Sequence, residues 1–186
     1  MIADTKYQYA FHVLDDQALL NKGTWLVVLH ASRIPPHIGL MINGNYNSLT
    51  LKERETNVRS ETLFKAIAQK KIETLFVKLV KHPVFSEDYQ LQTFQEQLQQ
   101  FSSVKQNEAT CLSPIKLFFE EFYAVRNNKE QLFFDFLETL NDNDYLSDIV
   151  GVNMKEGLGE QVFTFTTYTN AELQERIEQE RKTYFK

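Results

Sequence analysis

The spacing of apolar positions divides the chain into a β-rich first third and a mixed, then mainly helical, remainder. Residues 6–14 (KYQYAFHVL) alternate in character, and residues 24–32 (TWLVVLHAS) form a continuous apolar run suited to a strand buried on both faces. The segments HIGLMIN and NYNSLTLKE meet at Asn43-Gly44, and an Asn-Gly pair between two such runs is the strongest short-range signal for a hairpin. Residues 60–71 (SETLFKAIAQKK) carry helical spacing, and residues 72–80 (IETLFVKLV) read as another strand, stopped by Pro83. Residues 86–101 align Leu91, Phe94, Leu98 and Phe101 along one stripe behind an acidic first turn, as an amphipathic helix does.

Further on, Pro114 falls in the first turn of an apolar helix over 113–125, where its missing N–H removes no helical bond. A second helix follows over 129–140. DIVGVNM and EQVFTFTTY read as two late strands joined by KEGLG, and a terminal helix starts at Thr169 or Asn170. The pattern predicts an α+β fold: one domain over 1–186, built on an antiparallel sheet with packed helices.

Composition narrows the functions open to such a domain. The 186 residues are 42% hydrophobic, with 15 Phe and 8 Tyr, enough for a sizeable core. A net charge of −5 lacks the basic footprint of a nucleic-acid binder. No apolar window approaches the ~18 residues that a membrane span needs. The N-terminus lacks the basic start and apolar run of a secretory signal, and the single cysteine suits a reducing compartment, so a soluble, cytoplasmic protein is expected. Four scattered histidines and one cysteine show no metal-ligand spacing, and no glycine-rich phosphate loop is present, so neither a metal nor a cofactor is expected.

Two residues carry the chemical interest, His37 and Cys111. Cys111 lies just ahead of Ser113-Pro114, so the helix starts either at Ser113 as N-cap or at Cys111 itself. Either start brings the sulfur near the positive end of a helix dipole, which favours a thiolate. A buried, inert cysteine is the plain structural alternative. A two-residue turn at Asn43-Gly44 sets Gly39 opposite Ser48 and His37 opposite Thr50. His37, Gly39 and Met41 then share a face with Tyr46, Ser48 and Thr50, while Asn47 points the other way. Gly39 leaves room on that face for a close backbone approach, such as a helix start carrying Cys111.

A strand opening HxG, a tight turn and a second strand, followed about 70 residues later by a Cys-bearing helix, resembles papain-like thiol hydrolases of the NlpC/P60 superfamily. With the histidine hairpin ahead of the cysteine, the order is that of the circularly permuted branch, which includes the PPPDE peptidases and the lecithin-retinol-acyltransferase-like proteins. The resemblance covers residues 24–125 and leaves 126–186 as a C-terminal extension of helix and β-hairpin. It implies a cysteine hydrolase acting on a peptide or small amide, an isopeptide or a thioester, with Cys111 as nucleophile and His37 as general base. It also implies a third polar residue that orients the imidazole, for which Ser48 and Thr50 stand on the right face. Backbone N–H groups at the Cys111 helix start, helped by Asn107, would form the oxyanion hole. NEAT before Cys111 departs from the Asn-Cys pairing usual in the permuted branch. The competing expectations are a non-catalytic interaction module with a degenerate site, or an unrelated α+β domain in which His37 caps a strand and Cys111 is core. Trp25 reads as core. The FF doublets at 118–119 and 133–134 read as core helices, or as a partner surface such as a homodimer contact.

Overall fold

The computed structural model describes residues 6–155 and 161–185 and has an α+β fold. Among the described residues nine strands run as β1 (Gln8–Ala10), β2 (His12–Val13), β3 (Thr24–Leu29), β4 (His37–Ile42), β5 (Asn45–Leu49), β6 (Arg54–Arg59), β7 (Thr74–Leu79), β8 (Leu146–Val152) and β9 (Val162–Thr164). The same described residues include five α-helices: α1 (Ser60–Lys70), α2 (Glu87–Leu98), α3 (Ser113–Tyr123), α4 (Phe133–Asp142) and α5 (Asn170–Tyr184). Seven strands form one sheet in the order β2-β8-β7-β3-β4-β5-β6, and β1 pairs with β9 in a separate ribbon.

The apolar run of β3 is buried from Thr24 to Val28 and lies between β4 and β7, both antiparallel to it. The Asn-Gly hairpin forms with Asn43 and Gly44 at φ 47° and 73°, the left-handed pair that a tight two-residue turn requires. Its register sets Gly39 opposite Ser48 and Ile42 opposite Asn45, as the turn dictates. Alternation divides the core in two. Trp25, Val27, Met41 and Tyr46 meet Leu63 and Ile67 of α1 on one face of the sheet. Leu26, Val28, Ile38 and Leu40 meet the rings and leucines of α2, α3 and α4 on the other.

The helices start and stop where their sequences require. Ser86 caps α2 by accepting from the Tyr89 N–H, and Glu87 and Asp88 complement the positive end of its dipole. Pro114 occupies the first turn of α3, which ends where Ala124 turns left-handed at φ 53°. Thr169 and Glu172 form a reciprocal capping box that opens α5. Both rings of each FF doublet, Phe118 and Phe119 on α3 and Phe133 and Phe134 on α4, are buried, which makes them core and not a partner surface. Trp25 is buried too, with its Nε1–H donated to the Lys22 carbonyl.

Four sequence expectations are corrected. The sheet is not wholly antiparallel, because β2 runs parallel to β8. The alternating segment 6–14 is two short strands in two sheets, with Phe11 between them. The late strands do not form a hairpin. β8 is flanked on both edges by β7 and β2, so β9 has no edge of β8 to join and pairs with β1 instead. Residues 156–159 of the KEGLG joint, and residue 160 after it, lie outside the described residues. The fourth correction is β6, whose sequence RETNVR is polar and almost wholly exposed, and so gave no strand signal.

Candidate functional site

His37 opens β4 behind Pro35-Pro36, and Cys111 sits in the turn just ahead of α3. Leu112 is the N-cap position, so the helix starts at Ser113 and leaves the cysteine outside it. The turn is braced locally: Ser113 Oγ accepts from the Thr110 N–H at 2.9 Å, and Thr110 Oγ1 accepts from the Leu112 N–H at 3.2 Å. His37 belongs by alternation to the Gly39–Met41 face, whereas Cys111 packs against the cluster of the opposite face. The two come together around the open end of β4, where both line one cavity of about 910 Å³. No hydrogen bond links them among the described residues.

The imidazole is held from the other side. His37 Nε2 lies 3.2 Å from Ser48 Oγ, and Ser48 donates its own proton to Glu55 Oε2 at 2.9 Å. Because a hydroxyl has one proton and Glu55 accepts it, Ser48 meets His37 as an acceptor. Nε2 therefore carries the imidazole proton, and Nδ1 keeps its lone pair. Thr50, the second residue expected to orient the ring, is engaged elsewhere. Its Oγ1 donates to the Glu53 carbonyl at 2.8 Å and accepts from the N–H groups of Lys52 and Glu53, which closes the turn between β5 and β6.

Burial drives both titrations toward neutrality. His37 is pushed down to about 4, first by burial and then by the nearby positive charges of His30 and Arg33. Burial pushes the Cys111 thiol up to about 11. The backbone N–H groups of Ile38, Cys111 and Leu112, close to the sulfur, offset part of that rise. Both side chains keep some surface toward the cavity, and water there softens these displacements. At neutral pH the resting site holds a thiol and an uncharged imidazole.

Two expectations about the site are overturned. Gly39 does not receive the Cys111 turn. The Tyr46 ring covers it, so closely that a Cβ on Gly39 would sit 2.2 Å from Tyr46 Cε2. The glycine accommodates a bulky neighbour from its own sheet instead of another segment. Asn107 is exposed in a turn at φ 58°, with its N–H bonded to Gln174 Oε1 of α5, and takes no part in lining the cavity.

The remaining walls come from residues that carried no chemical signal in the sequence. Lys116, one turn into α3, is buried and donates Nζ to the carbonyls of Asn128, Lys129 and Gln131 at 2.6, 3.4 and 2.5 Å. Burial lowers its pKa to about 8, while the three carbonyls favour the ammonium form. It thereby fixes the loop between α3 and α4 along one side of the cavity. The terminal helix closes another side. Glu180 pairs with Arg33 at 2.5 Å, and Arg181 Nη1 reaches the carbonyls of Leu51 and Val104 at 3.3 and 2.8 Å.

Protein-family models, curated proteins and solved structures yield no match to the chain. Among the described residues no helix is long and apolar enough to cross a membrane, and no three His, Cys, Asp or Glu side chains gather as a metal site would need.

Proposed function

We propose that the chain is a cysteine hydrolase that cleaves an amide, isopeptide or thioester bond, with Cys111 as nucleophile and His37 as general base. The observation that carries this reading is the Ser48 contact, which leaves Nδ1 of His37 unprotonated in the residue that shares a cavity with the lone cysteine. The order of histidine hairpin and cysteine helix, on which the resemblance to permuted papain-like hydrolases rests, supports it as well. The single cysteine suits action in the cytoplasm.

The resting electrostatics shape the mechanism. With His37 lowered to about 4 and Cys111 raised to about 11, both displacements oppose moving the thiol proton to the imidazole in the resting site. A standing thiolate–imidazolium pair is therefore not populated. Nδ1 instead takes the thiol proton as the sulfur attacks the carbonyl carbon, in the manner of a serine nucleophile. The imidazolium returns that proton to the departing amine or thiol, which leaves a thioester on Cys111. Water, deprotonated by the same Nδ1, then releases the acid and restores the thiol.

The test is to expose the protein to a panel of thioesters, activated esters and peptidyl amides, quench in acid and weigh the intact chain. An acyl adduct on Cys111 is expected, absent from Cys111→Ala and formed about a hundredfold more slowly in His37→Gln. An adduct-free protein whose background hydrolysis matches that of Cys111→Ala would overturn the proposal. That outcome would favour the second reading, a non-catalytic binding module, which the neutral resting pair supports.

A further inference from the structure

β6 does not continue the ladder in which it begins. Asn45 pairs with Arg59 and Tyr46 with Val58, but Ser48 pairs with Glu55 and Leu49 with Arg54. Thr56 and Asn57 both stand against Asn47, which makes a β-bulge. A regular ladder would have set Thr56 opposite Ser48. The extra residue advances the strand by one and brings Glu55 to that place, which is what allows Ser48 to reach a carboxylate.

The bulge is built with its own polar framework. Asn57 turns left-handed at φ 54°, a conformation Asn tolerates and β-branched residues do not. Its N–H is accepted by Oδ1 of the buried Asn47 at 3.0 Å. Gln95 of α2 donates to Asn57 Oδ1 at 2.7 Å and to Asn47 Oδ1 at 3.3 Å, and Asn47 Nδ2 is tied to the Asn45 carbonyl at 3.0 Å. These three amides occupy the side of β5 opposite Ser48 and touch neither His37 nor the cavity.

We infer that Glu55 is a positioning residue for His37, aimed by the bulge that Asn47, Asn57 and Gln95 hold. Its role is to remove an ambiguity. A serine hydroxyl alone can donate to Nε2 or accept from it, and the donating arrangement would place the imidazole proton on Nδ1, where a base cannot use it. By taking the Ser48 proton, Glu55 makes the hydroxyl an acceptor and selects the Nε2–H tautomer. The catalytic reading lacked a strong orienting group directly across from His37. The carboxylate is present one strand farther out and acts through Ser48.

This inference rests on His37 serving as base, but the tautomer is measurable without any substrate, so the two fail separately. Long-range ¹H–¹⁵N spectra of the full chain, recorded near pH 7 in a Cys111→Ala background, report which ring nitrogen of His37 carries the proton. His37→Gln identifies its signals among the four histidines. The Nε2–H form is expected to dominate in the parent. Losing the bond to Glu55 in Glu55→Ala should lower the ratio of Nε2–H to Nδ1–H at least about tenfold. Glu55 is exposed on an edge strand, so that variant is expected to fold, and backbone spectra check it. Asn57→Val, which disfavours the left-handed turn, should shift the tautomer as Glu55→Ala does, and Asn57→Gly should retain the parental form. An unchanged tautomer in Glu55→Ala, or a parental one in Asn57→Val, would overturn the inference.

Discussion

Acidification is the most direct probe of the environment assigned to His37. An unfolded histidine titrates near 6.5 and the folded one near 4, so the folded chain binds fewer protons between those values. The sign follows: the contribution of the neutral imidazole to stability is fully present above pH 6.5 and is lost as pH falls toward 4. Between pH 7 and pH 4.5 the linkage amounts to about 2 kcal/mol, a figure rounded down because water in the cavity screens the shift. Every other ionisable group is common to parent and variant, so the difference between two proteins is the useful quantity. His37→Gln keeps an amide donor for Ser48 and removes the titration. Urea unfolding of parent and variant, followed by far-UV circular dichroism at half-unit pH steps, should give stability curves that converge by about 2 kcal/mol as pH falls from 7 to 4.5. Parallel curves would show that the imidazole titrates alike in folded and unfolded chains, and the account of a buried neutral base would fail.

Three further outcomes follow from the same geometry. With its thiol near 11, Cys111 should alkylate with iodoacetamide at pH 7 about a hundredfold more slowly than free cysteine, read by intact mass; a rate equal to or above that of free cysteine would refute the buried-thiol description. Lys116→Met removes the charged donor shared by the carbonyls of Asn128, Lys129 and Gln131 and should lower unfolding stability by about 2 kcal/mol; a loss below about 0.5 kcal/mol in urea titrations would show that the α3–α4 loop is held by something else. Gly39→Ala drives a Cβ into the Tyr46 ring inside a packed layer and should cost about 2–3 kcal/mol, visible as a drop in Tm, whereas an unchanged Tm would mean that the ring swings aside freely.

How much of this was readable beforehand depended on whether a signal was local. The hairpin was legible to the residue because Asn43-Gly44 fixes its register through backbone conformation alone. Ser113-Pro114 marked the start of α3 only to within two residues: Ser113 as N-cap and Cys111 both stood open, and the cap is Leu112, which has no side-chain capping group to announce it. The face shared by His37 and Ser48 followed from counting outward from the turn. What failed was set by partners distant in sequence. Gly39 read as open space because nothing local says which neighbour fills it, and the answer is a tyrosine seven residues on, across the hairpin. Glu55 was missed because β6 presents charges to solvent on an edge and so lacks the apolar alternation by which strands are recognised. Lys116 sits within an apolar helix, where a lysine reads as solvent-facing. Only the return of the chain through Asn128–Gln131 gives it a cage.

The terminal helix bears on when the cavity comes into existence. Its anchors span most of the chain: Arg33 to Glu180 closes 147 positions, and Arg181 to the Leu51 carbonyl closes 130. Contacts of such separation are the slowest to find one another, since the loop they close must first surrender its freedom. During synthesis, His37 and Cys111 are both outside the ribosome well before the residues that wall them in. The newborn chain therefore passes through a stage in which His37 and Cys111 lie on an open surface, and it acquires a bounded pocket only when α5 docks.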